Sequence, residues 1–395
     1  MTGTRHNAPL LPPRILMGPG PSDVSPRVLA AGARPTIGHL DPEFQILMDG
    51  IKGQLKRVFR TQNAVTFPVS GPGSVGMEAC FVNLVEPGDT VIVCQNGVFG
   101  GRMKENVERC GGTVVAVDDD MGKPVDPAKL RAALKAHPET KVVAFVHAET
   151  STGVQSDAAA ICALADSHGA LTIVDTVTSL GGTPVLTDEW GADAVYSGSQ
   201  KCLSCMPGIS PVTISERAAG VIRSRNRKVQ SWFMDLNLVM GYWSGEGARV
   251  YHHTAPINPL YALHESLVML EEEGLEAAWA RHAKNHAALR EGAEAMGLSF
   301  IVDKACRLPQ LNAIGIPDGV DEALVRKTLL QRYDLEIGAG LGDLAGKIWR
   351  VGLMGQSSST QHVILFLAAM EDVLSEQGAK ITTGAALPAA RAALA

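Results

Sequence analysis

Three stretches of the sequence put reactive side chains where an apolar run stops. In YSGSQKCLSCMPG (196–208), Lys201 follows the strand-like run ADAVYSG (192–198) and sits among small residues that favour neither helix nor strand. Asp175 closes the apolar run LTIVD (171–175), and a carboxylate there is costly to bury without a partner. SGPGS (70–74) follows AVTFPV (64–69) and precedes a helical pattern. Its Gly71 and Gly73 allow a tight turn, and the helix start beyond offers free N–H groups and a positive dipole end to an anion. Each stretch alone has a plainer role: Lys201 as a solvated charge, Asp175 as a turn cap, SGPGS as an ordinary strand–helix turn. Together they are an amine able to condense with an aldehyde, a carboxylate able to keep a ring nitrogen protonated, and a phosphate cradle. Those are the contacts that pyridoxal phosphate requires. In that chemistry Asp175 lets the ring accept electrons from a substrate Cα, and Lys201 moves the Cα proton.

The elements that must hold these residues alternate along the first half of the chain. Short apolar runs at 64–69, 89–94, 112–117, 141–148, 171–175, 192–198 and 210–215 read as strands. Segments 44–59, 74–85, 99–110, 126–137 and 157–169 read as helices, the fourth opened by Asp126 and the fifth ended by Gly169. Apolar strands alternating with helices predict an α/β fold with a mainly parallel sheet covered on both faces. Ligands of such sheets bind beyond the carboxyl ends of the strands, where all three stretches lie. The second half differs: 257–296 reads as long helices, followed by shorter strand and helix signals and the helix at 362–378. This predicts a proline-rich arm over 1–21, a large domain over 22–274 and a smaller α+β domain over 275–395. The tail GAALPAARAALA is low in complexity and is assigned no function.

The composition excludes several classes of function. The chain has 395 residues, 46% apolar and 19% charged, as expected of a soluble enzyme-sized protein. A net charge of −6 gives no electrostatic reason to expect nucleic acid binding. There is no run of 18 apolar residues to span a membrane and no signal-peptide core, so a cytoplasmic location is expected. The seven scattered cysteines suit reduced thiols. Cys202 and Cys205 form a C-x-x-C without a second pair at zinc spacing, so no metal site is expected.

Seven motifs, in order from about residue 14 to 375, resemble alanine–glyoxylate and serine–pyruvate aminotransferases. These are class V, fold-type I pyridoxal phosphate enzymes. The motifs are GPGPSDVSPRVLAAG (18–32), SGPGSVGMEA (70–79), HAETSTGV (147–154), VDTVTSLGGTP (174–184), SGSQKCLSCMPG (197–208), YHHT (251–254) and WRVGLMG (349–355). The resemblance implies a seven-stranded sheet between helices in the large domain. It implies that Lys201 carries pyridoxal 5'-phosphate and that Asp175 partners the ring nitrogen. Phe99 in NGVFGGR would stack on the ring. Gly73 and Ser74 would hold the phosphate with Gln200, and Thr150 would lie near the ring. Pro72 stands where some relatives have Ser, which removes an N–H donor. Tyr251 and Thr254 would reach the cofactor of a neighbouring subunit, so the resemblance implies a homodimer. Arg350 would bind the substrate α-carboxylate, a task that suits a guanidinium fork. Gly20 would line the substrate pocket, and His39 in TIGHLDPEF would approach it from the partner subunit. His252 and His253 follow the family's YHHT, so they imply no metal.

The reaction implied is ping-pong transfer of an amino group from alanine or serine to glyoxylate or pyruvate. Ureidoglycine–glyoxylate aminotransferases resemble the chain nearly as well, around DPEF, DEW, QKCLS and LAGKIWR. They carry Gln at the position of His39 and Asn in the segment matching Ala255–Tyr261. Aspartate–glyoxylate and pyridoxamine–pyruvate transfer are further options. A lyase or desulfurase on the same fold would use a thiol, for which Cys202 and Cys205 are the nearest candidates to Lys201.

Overall fold

The computed structural model describes residues 11–243 and 249–395. The first ten residues of the expected arm lie outside the described residues. Seven strands form the main sheet: β1 (Val65–Ser70), β2 (Thr90–Gln95), β3 (Thr113–Asp118), β4 (Thr140–Val146), β5 (Leu171–Asp175), β6 (Ala194–Tyr196) and β7 (Ile209–Ile214). Their spatial order is β1-β7-β6-β5-β4-β2-β3. Only β7 runs against its neighbours; the other six strands point the same way. The expected mainly parallel seven-stranded sheet is present.

Helices cover the sheet. They include α1 (Pro42–Phe59), α2 (Gly73–Leu84), α3 (Val98–Arg109), α4 (Pro127–Ala136) and α5 (Ala158–His168). Asp41, Asp126 and Asp157 cap α1, α4 and α5, each accepting a backbone N–H of the first turn. β4, β5 and β7 are buried almost throughout because helices close both faces, whereas the edge strand β3 is largely open to solvent.

Two long helices follow, α6 (Ile257–Glu273) and α7 (Leu275–Met296). Ala278 of α7 joins the core of the main sheet, while Ala288 and Leu289 join a second core. That second core is built on β8 (Leu311–Gly315), β9 (Gly338–Ala339), β10 (Ile348–Gly352), α8 (Glu322–Tyr333) and α9 (Thr360–Glu376). β10 is the middle strand, antiparallel to both neighbours. The alanine-rich tail forms α10 (Ala386–Leu394), with Ala386 and Ala390 buried in the second core. Small side chains there let the helix lie close to α7, which composition alone did not reveal.

The N-terminal segment also belongs to this second unit. Ile15–Leu16 pair in parallel with Leu335–Glu336, and Met17 is buried in the second core. Among the described residues no helix is long and apolar enough to cross a membrane.

Two buried histidines tie α7 to the second unit. His282 donates from Nδ1 to the Ala278 carbonyl at 2.6 Å and accepts the Gly355 N–H at Nε2, 2.9 Å away. His286 donates from Nδ1 to Asn312 Oδ1 at 2.7 Å. Burial lowers both rings from the usual value to about 4. Between pH 6.5 and 4 the unfolded chain therefore binds more protons than the folded one, and stability falls as pH falls through that window. Each ring contributes on the order of 3 kcal/mol to that loss when the window has been crossed. Urea midpoints should drop from pH 7 to 5, and His286→Gln should flatten the slope. An unchanged slope in the variant would remove His286 from this account.

Candidate active site

The carboxyl ends of the parallel strands meet in one cleft holding about 630 Å³ of empty space. After β1 the chain turns at Pro72 and enters α2, so Gly73 and Ser74 line the cleft. Pro72 caps α2 without any side-chain hydrogen bond; the Val75 N–H turns back to the Pro72 carbonyl at 2.7 Å, which leaves those of Gly73 and Ser74 to an outside acceptor. After β2, the first turn of α3 supplies Phe99. Arg102, one turn on, rests its guanidinium 4.7 Å from the Phe99 ring centroid. Thr150 comes from the loop after β4, Asp175 from the end of β5, and Gln200 and Lys201 from the loop after β6.

Asp175 is buried and pre-oriented. Its Oδ1 accepts the Val177 N–H at 2.8 Å, and its Oδ2 accepts the Tyr196 hydroxyl at 2.7 Å. Burial raises the carboxyl to about 6, and these two bonds pull the other way. It therefore remains mainly ionised at neutral pH, with lone pairs left to accept a ring N–H.

Lys201 is buried as well, and burial lowers its amine to about 8. A useful fraction is thus neutral, hence nucleophilic, near physiological pH. Its Nζ donates to the carbonyl of Pro19. The N-terminal segment is fastened here: Ser22 donates from its hydroxyl to the Lys201 carbonyl at 2.7 Å and from its N–H to the Gln200 carbonyl at 2.9 Å. Gly20 fits because it has no side chain. A Cβ there would lie 2.4 Å from Nζ, and its φ of +105° suits only glycine.

Arg350 lies in the middle of β10, opposite Ala313 on one side and Gly338 on the other, and is buried. It donates from Nε to the Ala339 carbonyl at 2.6 Å and from Nη1 to the Thr150 carbonyl at 3.2 Å. These bonds fix the guanidinium beside the cleft and leave its remaining N–H groups for a carboxylate.

His39, Tyr251 and Thr254 stand outside the ring of residues lining this cleft. The His39 and Tyr251 rings lie 5.0 Å apart, and Tyr251 and Thr254 are exposed. His252 and His253 are hydrogen-bonded to each other at 2.8 Å, and His253 Nε2 lies 2.8 Å from Ser70 Oγ. Among the described residues no group of three or more acids, thiols or imidazoles is placed to hold a metal. All seven thiols are free, and burial raises Cys202 and Cys205 to about 12. Such thiols are poor nucleophiles. This weighs against thiol chemistry beside Lys201.

The residues fit pyridoxal phosphate. The uncapped α2 terminus suits a phosphate, and Gln200, whose amide NH₂ can donate to one, lines the same cleft. Asp175 and Lys201 supply the acceptor and the amine. Two contributors escaped the sequence reading: Tyr196, whose hydroxyl orients Asp175, and Glu149, a fully buried carboxylate after β4. The signal for Glu149 was present in HAETSTGV, an acid directly beyond an apolar strand.

Known proteins carry the same organisation. The profile of the family described as aminotransferase class-V matches residues 23–348. The (S)-ureidoglycine–glyoxylate transaminase of Bacillus subtilis is 39% identical over 96% of this chain and 95% of its own length. The crystal structure of the ureidoglycine–glyoxylate aminotransferase from that organism superposes with a TM-score of 0.95 at 40% identity, covering 98% of this chain and 99% of the other. An alanine–glyoxylate aminotransferase structure from Nostoc sp. is 46% identical with a TM-score of 0.92, covering 94% and 97%.

Proposed function

This chain belongs to the class-V aminotransferases, and we propose that it is a pyridoxal-phosphate-dependent enzyme passing the amino group of a small amino acid, alanine or serine, to glyoxylate. The single observation that carries the reading is the cleft that brings Lys201, Asp175 and the uncapped α2 terminus together within reach of Arg350. When bound, the cofactor supplies an aldehyde that takes up the amino group and a ring that accepts the electrons released at Cα. The protein does the rest. Arg350 holds the α-carboxylate of donor and acceptor in turn, so one site serves both halves of a ping-pong reaction. Lys201 Nζ takes the proton from Cα. Asp175 holds a proton on the ring nitrogen. Gly73, Ser74 and Gln200 receive the phosphate, and Phe99 packs on the ring face. Tyr251 and Thr254 are exposed and His39 lies beside Tyr251 because, in this reading, they complete the cleft of a second copy in a homodimer.

A second reading, with ureidoglycine as donor, is supported by the likeness to the Bacillus subtilis enzyme. Two points bear on the choice. The resemblance places Gln, in the ureidoglycine group, where this chain has His39. The chain does have an Asn in the relevant segment, but its amide is engaged: Asn258 donates to the Gly32 and Arg34 carbonyls at 2.9 and 2.7 Å and accepts from the Thr36 hydroxyl at 2.5 Å.

The deciding experiment follows the visible absorption of cofactor-loaded protein. L-Alanine should remove the band and glyoxylate restore it. A band that responds to ureidoglycine and not to alanine or serine would select the second reading, and no band at all would overturn both. Asp175→Asn should lower kcat by roughly 10²–10³-fold, because a neutral amide no longer holds the ring proton. Steady-state kinetics at saturating cofactor would check this, and a near-normal kcat would remove Asp175 from its role.

A further inference from the structure

We propose that Glu149 is a positioning residue for the reaction: its carboxylate fixes the first turn of α3 and thereby the ring of Phe99. The inference rests on reading the cleft as the pyridoxal phosphate site.

Helix α3 cannot cap itself. Its N-cap is Gly97, which has no side chain to offer. The loop after β4 supplies the cap from a distance of some fifty residues. Val98 donates its N–H to Ser151 Oγ at 3.0 Å, and Phe99 donates its N–H to Glu149 Oε2 at 3.2 Å. The other oxygen, Oε1, accepts the Ser151 N–H at 3.0 Å and the Ser151 hydroxyl at 2.7 Å. Both carboxylate oxygens therefore face donors, an arrangement that suits the ionised, acceptor-only form. Burial pushes this carboxyl up from its usual value, and the donors around it pull the other way. The positive end of the α3 dipole lies on the same side. The fit leaves no slack, since a Cβ on Gly97 would lie 2.3 Å from Glu149 Cγ.

The same three residues serve the other side of the cleft. Thr150, between Glu149 and Ser151, lines the cleft and accepts from Arg350 through its carbonyl. One short segment thus sets the stacking ring with its acid and steadies the substrate-facing guanidinium with its backbone. Glu149 itself is fully buried, so it positions the ring through the Phe99 N–H, while its charge also bears on Asp175 and Arg350.

The test is Glu149→Gln in the full-length protein, alone and combined with Phe99→Leu. Glutamine keeps the shape but turns an NH₂ toward a donor, either Phe99 N–H or Ser151. The dissociation constant for pyridoxal phosphate should rise about tenfold, the size expected for losing one charge-assisted hydrogen bond. The circular dichroism of the bound cofactor should weaken with it. In the Phe99→Leu background, which has no ring to position, Glu149→Gln should change the dissociation constant less than about twofold more. Fully additive effects would overturn the proposal, because a merely structural acid lowers stability whether or not the ring is present. Should Glu149→Gln fail to fold, Gly97→Ala pushes on the same carboxylate and carries the same cycle. Wild-type protein that binds no pyridoxal phosphate would overturn the reading of the cleft and this inference with it. Additivity in a protein that does bind it sinks the role of Glu149 alone.

Discussion

Lys201→Ala is expected to lower turnover by at least about 10⁴-fold while the protein still takes up pyridoxal phosphate without covalent attachment. In the proposed mechanism the fold-change reflects two losses: the amine that would anchor the cofactor, and the base at Cα, worth up to about 10⁴ by itself. Asp175 and the α2 terminus are untouched by the substitution, so the contacts for ring and phosphate persist. The position is demanding because the amine sits in a pocket shaped around it, under the Pro19 carbonyl and against Gly20. Burial in that pocket lowers the amine to about 8, so it gives up its proton readily. The check has two parts: amino-group transfer, and loss of deuterium from the Cα of labelled L-alanine. Both should fall together, and a small added amine such as methylamine should restore part of each. Residual transfer within about 10² of wild type would show that another group moves the proton.

Arg350→Lys is expected to lower kcat/KM for amino acids by roughly 10²–10³-fold while cofactor affinity stays unchanged. The charge survives this substitution; the geometry does not. Arginine uses Nε and Nη1 to brace itself on the Ala339 and Thr150 carbonyls and still presents a planar fork. A lysine ammonium offers no comparable pair of parallel hydrogen bonds to a carboxylate. Losing one or two charge-assisted bonds accounts for the expected size. An amine without a carboxylate reacts slowly with both proteins, so the variant should affect it little. If such an amine lost as much as alanine, Arg350 would not be the carboxylate site.

The sheet and the central site were legible because they follow from rules of short range. Apolar runs mark the strands, and polar residues ending them mark the cleft, so Asp175 and Lys201 stand out from their neighbours in the sequence alone. Strand ends moved by a residue or two, since pairing decides where a strand stops. Glu149 was not legible as a cap, because the helix it serves starts at Gly97 and nothing near Gly97 names the partner. Tyr196 read as one more apolar strand residue, and only the neighbouring strand β5 shows what its hydroxyl does. The tail helix was hidden for a related reason: an alanine-rich segment shows little pattern, and its order comes from burial against α7. Residues 15–21 read as part of an arm, yet they are bound at one end to the second core and at the other, through the adjoining Ser22, to the lysine loop.

That last arrangement sets an order on synthesis. Arg14 and Asp334, an ion pair flanking the Ile15–Leu16 ladder, are 320 positions apart. At roughly 5–20 residues per second, the early segment waits on the order of tens of seconds for its partners to emerge from the ribosome. All seven strands of the main sheet are complete by Ile214, so the large unit can collapse well before then. During that interval the Lys201 loop exists without Arg350, which the chain supplies only with β10. A nascent chain therefore carries Lys201 and Asp175 on a finished sheet before the guanidinium beside their cleft has been made.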